Sequence, residues 1–187
     1  MRILKQLKIG HRVISLIINA SPLIILGKLN KLEILVKIFK NIEIPEEVYN
    51  EVVIKGKGYT DSLILKRFIE QGSISIVKLN DKYSKMAEEV QLIFSIDAGE
   101  AETLALARQL GHKQLVIDEI SAREAAKSLD LRPIGTLGVL LIAFKKGIIS
   151  KEQIEKIVKE MMDSKYRVGA NIIIEFWDKL RELEQAK

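Results

Sequence analysis

Two kinds of hydrophobic period alternate along the chain. Short β-branched or alternating runs are typical of strands, and the first of them has the continuous apolar character of a strand buried on both faces. The predicted strands cover residues 13–18, 42–44, 73–79, 114–117 and 132–134. Apolar residues recurring every three or four positions predict amphipathic helices. The predicted helices start at Pro22, with Ser21 as N-cap, and cover 31–39, 45–53, 61–71, 82–94, 98–110 and 121–129, with two or three more beyond.

Strands separated by helices favour a parallel sheet with helices on both faces. We therefore predict an α/β fold, a three-layer α/β/α sandwich with a central, mainly parallel sheet and extra C-terminal helices. The 187 residues suit one domain, 1–187, with an N-terminal extension over 1–12 and a C-terminal helical extension over 136–187. In such sheets ligands bind outside the carboxyl ends of the strands. The residues that follow each strand are thus the first candidates for a site.

The composition limits the kinds of metal site and partner that the chain can have. The absence of cysteine excludes a disulfide scaffold and any thiolate metal site, and two distant histidines, His11 and His112, do not make a histidine-rich zinc site. A metal would need oxygen ligands, which favours Mg²⁺ or Mn²⁺. The net charge of +5 is a mild bias toward polyanions, although a solvated lysine-rich surface explains most of it. The apolar run 13–26 is too short and broken to span a membrane, so we expect a cytoplasmic protein.

Polar residues stand where the predicted strands end. Asn19 follows the first strand, and Asp118 and Glu119 follow the strand that ends at Ile117. On helices, Glu51 borders an apolar stripe, and Glu100 shares a face with the apolar residues four and seven positions later. A carboxylate on a core-facing stripe is costly without a partner, and a metal ion is one such partner.

Each of these residues has a structural alternative. Asn19 suits a turn, and Glu51 suits an exposed helix position. Asp97 and Glu100 match a capping box, which alone would explain both. Asp118 could cap the helix that follows it, with Glu119 at the positive end of that helix. Taken singly, each residue favours the structural interpretation; together, at one edge of one sheet, they favour a site.

The chain resembles PIN-domain proteins, in a longer group related to VapC-type toxins. The resemblance lies in the order of "IINASPLIILGKLNKLEIL", "IEIPEEVYNEVV", "DAGEAETLALARQLG", "LVIDEISAREAA", "PIGTLGVLLIAFKKGII" and "YRVGANIIIEF". It implies a three-layer sandwich and metal-dependent cleavage of RNA. By position it implies metal ligands at Asn19, Glu51, Glu100, Asp118 and Glu119, of which the four acids would be catalytic. Ser21 and Arg123 would lie on the substrate side, Arg123 either at phosphate or paired with Glu119.

Two points within the resemblance stay open. Most PIN nucleases have aspartate where this chain has Asn19, and an amide oxygen brings no negative charge to a cation. The family pattern favours Glu119 as the ligand after the fourth strand, whereas the strand-end argument favours Asp118.

Two functions follow from the resemblance. The first is a Mg²⁺- or Mn²⁺-dependent endoribonuclease, including the toxin of a toxin–antitoxin pair. The alternative is a catalytically weakened PIN domain that acts as an RNA- or protein-binding module. The expected partners are RNA, an antitoxin protein and further copies of the chain in a homodimer or higher oligomer, with no membrane. A phosphoacceptor receiver domain ranks below both, because the first strand is not followed by an acidic pair.

Overall fold

A five-stranded parallel sheet forms the centre of the molecule. The computed structural model describes residues 15–164 and 166–186. The strands are β1 Ser15–Ile18, β2 Asn41–Pro45, β3 Ile74–Val77, β4 Gln114–Val116 and β5 Arg132–Ile134. They pair in the order β3-β2-β1-β4-β5, and every pair is parallel. The predicted parallel sheet is confirmed; the predicted extension 1–12 and the first two residues of the first predicted strand lie outside the described residues.

Ten α-helices connect and extend this sheet within the described part of the chain. They are α1 Ala20–Lys28, α2 Glu33–Ile38, α3 Glu46–Tyr49, α4 Thr60–Glu70, α5 Asp81–Phe94, α6 Ala98–Gln109, α7 Ile120–Ser128, α8 Thr136–Lys145, α9 Lys151–Asp163 and α10 Ala170–Gln185. A π-helical segment, Asn50–Lys55, continues α3. Three helices therefore follow residue 135. None of the helices in the described residues has the length and apolar content needed to cross a membrane.

The sheet has a hydrophobic core on each face. Leu16 and Ile18 point into one core with α1 to α4 and α8 to α10, whereas Ile17 points into the other with α5, α6 and α7. All three of these β1 side chains are fully buried. Alternate residues of β1 face opposite cores, and both cores are apolar. The sequence of this strand is therefore continuously apolar. The three-layer α/β/α sandwich is confirmed.

The order of the strands reverses beside β1. Strands β2 and β3 lie on one side of β1, while β4 and β5 lie on the other. The backbone N–H of Asn19 continues the β1–β4 pairing by donating to the carbonyl oxygen of Val116 at 3.0 Å. A reversal of this kind opens a crevice at the carboxyl ends of the strands. The residues that follow β1 and β4 therefore lie at the switch point of the sheet.

Helix α1 starts earlier than the sequence predicts. Its N-cap is Asn19, with an extended backbone at φ −83° and ψ 172°, so the prediction of Ser21 as N-cap is wrong. Pro22 occupies the third position of the helix, where its missing N–H costs no helical hydrogen bond. The Asn19 side chain makes no capping bond to the helix. Its amide is left for contacts across the switch point.

Candidate active site

Asn19 lies buried at the end of β1, with 3% of its surface exposed. The hydroxyl of Thr103, a fully buried residue of α6, lies 3.3 Å from its Oδ1 and 2.7 Å from the carbonyl oxygen of Gly99. A hydroxyl has one proton, and the shorter distance shows that it points mainly to Gly99. The Asn19 oxygen is therefore only weakly engaged and faces the helix that carries Glu100.

Glu100 is a buried carboxylate in the first turn of α6, with 5% exposure. Its Oε2 accepts the backbone N–H of Asp97 at 3.1 Å, and Asp97 Oδ1 accepts the N–H of Glu100 at 2.7 Å, so the predicted capping box is formed. Burial raises the pKa of Glu100 to about 7, against the opposing effect of the Asp97 N–H bond. The charges of Asp97, Glu119 and Glu51 raise it further. The capping box involves only Asp97 and Glu100, so it does not explain why Glu51 and Glu119 also lie close enough to raise this pKa.

Glu51 approaches the same turn from the π-helical segment. Burial raises its pKa, the charge of Asp97 adds to this effect, and the ammonium of Lys55 opposes it. A Cβ on Gly99 would stand 3.3 Å from Glu51 Oε2 and 3.5 Å from Asp97 Oδ1. The missing side chain of Gly99 thus leaves room for the Glu51 carboxylate against the first turn of α6.

One contact holds α3 beside α6, and a second ties α3 to the π-helical segment. Glu102 Oε2 accepts the backbone N–H of Glu47 at 3.1 Å, and Glu47 Oε1 in turn pairs with Lys55 at 2.7 Å. The π-helical segment ends at Gly56, where a Cβ would collide with the carbonyl oxygen of Val52. These contacts fix the backbone that carries Glu51. The role of Glu102 was missed from the sequence, since its partner lies on another helix.

Asp118 and Glu119 face different surroundings, although they are neighbours in sequence. Both oxygens of Asp118 accept bonds from Thr136: the N–H donates to Oδ1 at 2.7 Å, and the hydroxyl donates to Oδ2 at 2.6 Å. Asp118 therefore caps α8, and the alternative in which it caps the helix directly after it is wrong. Glu119 is exposed, and its charge acts on Glu100.

The structure thus brings together an acidic cluster, which we define as Glu51, Asp97, Glu100 and Glu119. The Asn19 amide lies beside Thr103, which is one turn along α6 from Glu100. Asp97 is the member that sequence reasoning treated only as a cap. Its position three residues before Glu100 was the feature of the sequence that could have placed it in the cluster. Asp118 lies outside this cluster, in a separate set of hydrogen bonds.

The two predicted substrate residues, Ser21 and Arg123, lie in different surroundings. Ser21 is exposed in the first turn of α1, two residues after Asn19. Arg123 Nη1 donates to the carbonyl oxygen of Ile117 at 3.0 Å. Burial lowers the pKa of Arg123, while the charge of Asp118 raises it. Arg123 therefore faces Asp118, and the predicted pairing with Glu119 is wrong.

The donor set fits a divalent cation in type and charge. Carboxylate and amide oxygens are the ligands that Mg²⁺ and Mn²⁺ prefer. Burial and, to a smaller extent, the charges of neighbouring acids raise the pKa values of Glu51 and Glu100, and a cation would offset both effects. Within residues 15–164 and 166–186, no group of three or more Asp, Glu or His side chains already has the arrangement of a metal site. The side chains would have to converge further on a cation.

Residues 15–182 match a family model described as PIN domain. No curated protein matches the chain. PIN domains are generally nucleases and generally use divalent metal ions. Because the match spans all the described elements except the end of the last helix, the chain belongs to the PIN-domain family, as its ordered motifs predict.

Proposed function

We propose that this protein is a metal-dependent endoribonuclease that hydrolyses RNA phosphodiesters with Mg²⁺ or Mn²⁺. The observation that supports it is the environment of Glu100. This carboxylate is buried at the switch point of a PIN-domain sheet, its pKa is raised to about 7, and three other acids act on it. Carboxylates whose pKa values are raised by burial and by neighbouring charges cluster at functional sites.

The proposed cation would be held by Asn19, Glu51, Glu100 and Glu119. When bound, it would neutralise charge on the phosphoryl oxygens and make water more acidic. Asp97 adds negative charge beside these ligands and holds Glu100 through the capping box. Both oxygens of Asp118 accept bonds from Thr136, so it is not counted among these ligands.

Glu100 also suits proton transfer. Its Oε2 is occupied by the Asp97 N–H, which leaves Oε1 for a ligand or a proton. In the metal-free protein, where burial raises the pKa of Glu100 to about 7, this carboxylate can take up and release a proton near neutral pH. Ser21, exposed beside Asn19, is the proposed contact to the substrate backbone.

A catalytically weakened PIN domain that binds RNA or protein is the alternative, and Asn19 is the observation that favours it. The neutral amide supplies one negative charge fewer than aspartate would, and ligand charge strongly influences affinity for hard cations. The toxin role, an antitoxin partner, assembly into a homodimer or higher oligomer and the single domain with a C-terminal extension remain predictions from the sequence.

The test is cleavage of a labelled single-stranded RNA pool by the purified protein with Mn²⁺. We expect cleavage that disappears with EDTA and in Glu100→Gln. The matched control is Glu89→Gln, on the exposed face of the neighbouring α5, which should cut like wild type. No cleavage by folded protein with excess Mn²⁺ would reject the nuclease in favour of the binding module. In that case Asn19→Asp is the next variant to assay.

A further inference from the structure

A group of basic residues lies at the amino ends of β4 and β5, at the edge of the sheet opposite the acidic cluster. Lys113 precedes β4, Arg132 begins β5, and the Arg132 N–H donates to the carbonyl oxygen of Lys113 at 2.6 Å. Arg108 and Lys127 lie in the last turns of α6 and α7. All four residues are exposed. We call Arg108, Lys113, Lys127 and Arg132 the basic edge.

The turn between α7 and β5 holds these cations together. The Arg108 guanidinium donates to the carbonyl oxygen of Leu129 at 3.4 Å. The Lys113 ammonium donates to the carbonyl oxygen of Asp130 at 3.3 Å and pairs with its carboxylate. The N–H of Asp130 donates to the carbonyl oxygen of Lys127 at 3.1 Å. Contacts to one short turn therefore position basic residues that come from α6, α7 and the start of β4.

Asp130 offsets only part of the positive charge. The hydrogen bond and the charge of Lys113 lower the pKa of Asp130, and the charges of Arg132 and Arg108 lower it further. Within residues 15–164 and 166–186, the side chains of Lys127 and Arg132 form no hydrogen bond or ion pair. Together with Asp130, the basic edge thus has four positive charges against one negative charge, an excess of three.

Stabilisation of helix ends explains only half of this group. Cations in the last turn of a helix offset the negative end of its dipole, which accounts for Arg108 and Lys127. Lys113 and Arg132 flank strands, which have only small net dipoles. Glu124, three residues before Lys127, forms no ion pair with it in the part of the chain that the structure describes. A surface with such an excess of one sign of charge attracts polyanions.

Helix α7 connects the basic edge with the acidic cluster. Its N-cap is Glu119, a member of the cluster, and Lys127 lies in its last turn. The nine residues of α7 rise by about 14 Å. The phosphates of one strand lie about 3.4 Å apart along the axis of a stacked helix, so about four nucleotides span the same distance. A strand cut in the crevice can therefore reach the basic edge.

We propose that the basic edge binds the phosphate backbone of RNA, about four nucleotides away from the phosphodiester in the crevice. Arginine presents a planar set of donors that fits phosphate, and lysine adds a point charge. Contacts to phosphate carry no sequence information, so this surface binds RNA of any base sequence. The choice of RNA rests on the proposed function, whereas affinity for a phosphate backbone depends only on the cations.

The test is the affinity of a labelled single-stranded RNA, measured by fluorescence anisotropy in EDTA from about 50 to 200 mM KCl. Each phosphate contact on a single strand adds about 0.7 to the slope of log affinity against log salt. The triple variant Lys113→Gln, Lys127→Gln, Arg132→Gln should therefore lower the magnitude of this slope by about 2 and weaken binding about tenfold or more.

A second triple variant removes the same charge elsewhere. Lys37→Gln, Lys66→Gln, Lys156→Gln changes exposed residues of α2, α4 and α9, which pack on the other face of the sheet. This control should bind RNA nearly as tightly as wild type. Equal weakening in the two triple variants would show that only net charge matters and would overturn the basic edge as a binding surface.

Removing the acid of the turn should have the opposite effect. Asp130 has a left-handed backbone with φ +57°, which asparagine also tolerates, so Asp130→Asn retains the turn. RNA affinity should rise about two- to fivefold, because the carboxylate no longer repels phosphate. Asp163→Asn, at the exposed end of α9, is the control and should change nothing. Unchanged RNA affinity in Asp130→Asn would contradict the proposal even if the triple variant did not fold.

The binding surface and the proposed function can fail separately. A wild type that cleaves RNA, with a basic-edge triple variant that binds RNA equally well, would reject the surface and leave the nuclease. A wild type that does not cleave, with RNA binding that the same triple variant loses, would reject the nuclease and support the surface. Polyglutamate that competes as well as RNA of the same charge would assign the surface to an acidic protein, and the assignment to RNA would be wrong.

Discussion

Glutamine in place of Glu100 should stabilise the metal-free protein, and the gain should depend on pH. Burial raises the pKa of Glu100 from 4.5 to about 7, so the folded protein keeps a proton that the unfolded chain releases. The stabilisation from this group is complete below pH 4.5 and is lost as the pH rises through about 7. Glutamine has no charge to bury, and its side-chain oxygen can still accept the Asp97 N–H.

The size of the effect follows from the pKa difference. One pKa unit corresponds to about 1.4 kcal/mol, so the rise from 4.5 to about 7 sets a ceiling of about 3 kcal/mol at pH 8. Water reaches the cluster on the side of the exposed Glu119, so we expect about 2 to 3 kcal/mol there. At pH 5 the advantage should be about 1 kcal/mol or less, since most of the penalty has not yet developed.

The assay is urea unfolding of Glu100→Gln and wild type at pH 5 and pH 8, with EDTA present. The difference in the free energy of unfolding between the two proteins should grow with pH. The exposed Glu89→Gln serves as control and should show no such growth. A variant that is no more stable than wild type at pH 8, or a difference that is the same at both pH values, would refute the reasoning.

Four further predictions concern packing and the cation. Gly27→Ala should lower the free energy of unfolding by about 1 to 2 kcal/mol, because its Cβ would stand 2.9 Å from Asp61 Cβ on α4. Gly138→Ala, whose Cβ would meet its nearest atom at 3.7 Å, should be neutral or stabilising in the same unfolding assay. Asn19→Asp should tighten Mn²⁺ binding about tenfold in a calorimetric titration, and unchanged affinity would place Asn19 outside the cation site. Mn²⁺ affinity of wild type should fall below about pH 7, since a proton on Glu100 competes, and Glu100→Gln should lose this dependence.

The sheet and the family could be predicted because several signals agree. The apolar run that ends at Ile18 predicts a strand buried on both faces, and the structure places Leu16 and Ile17 in opposite cores. The alternation of periods predicts a parallel sheet, and the order of the motifs predicts the PIN-domain family; both are confirmed. The relation to VapC-type toxins stays a prediction.

The arrangement of the acids could not be predicted, because neighbours on an extended backbone point in different directions. Sequence position gives Asp118 and Glu119 equal claims. Their surroundings differ because Thr136 and Tyr166, which come from later parts of the chain, meet Asp118 only in the folded protein. The hydrophobic periodicity of a helix does not reveal which side chain of a distant segment will contact it in the folded protein.

Two local features were not predicted from the sequence, for reasons of backbone geometry. Ser21 before Pro22 resembles a cap followed by the first helical residue, yet a proline is tolerated anywhere in the first turn, which allows Asn19 to cap instead. The predicted helix over 45–53 continues as a π-helix from Asn50, because the apolar spacing suits both geometries. Gly56, at its end, is the residue whose missing side chain this geometry requires.

The central place of β1 in the sheet has a consequence for protein synthesis. Ile17 pairs on one side with Glu43, which follows soon after it on the growing chain, and on the other with Leu115, which is translated much later. Until β4 has left the ribosome, one edge of β1 stays bare and Asn19 has no facing strand. Pairing between such distant segments forms late and slowly. A nascent chain therefore lacks part of the acidic cluster until Glu119 has been added, so the proposed nuclease would be inactive toward the message that encodes it up to that point of its own translation.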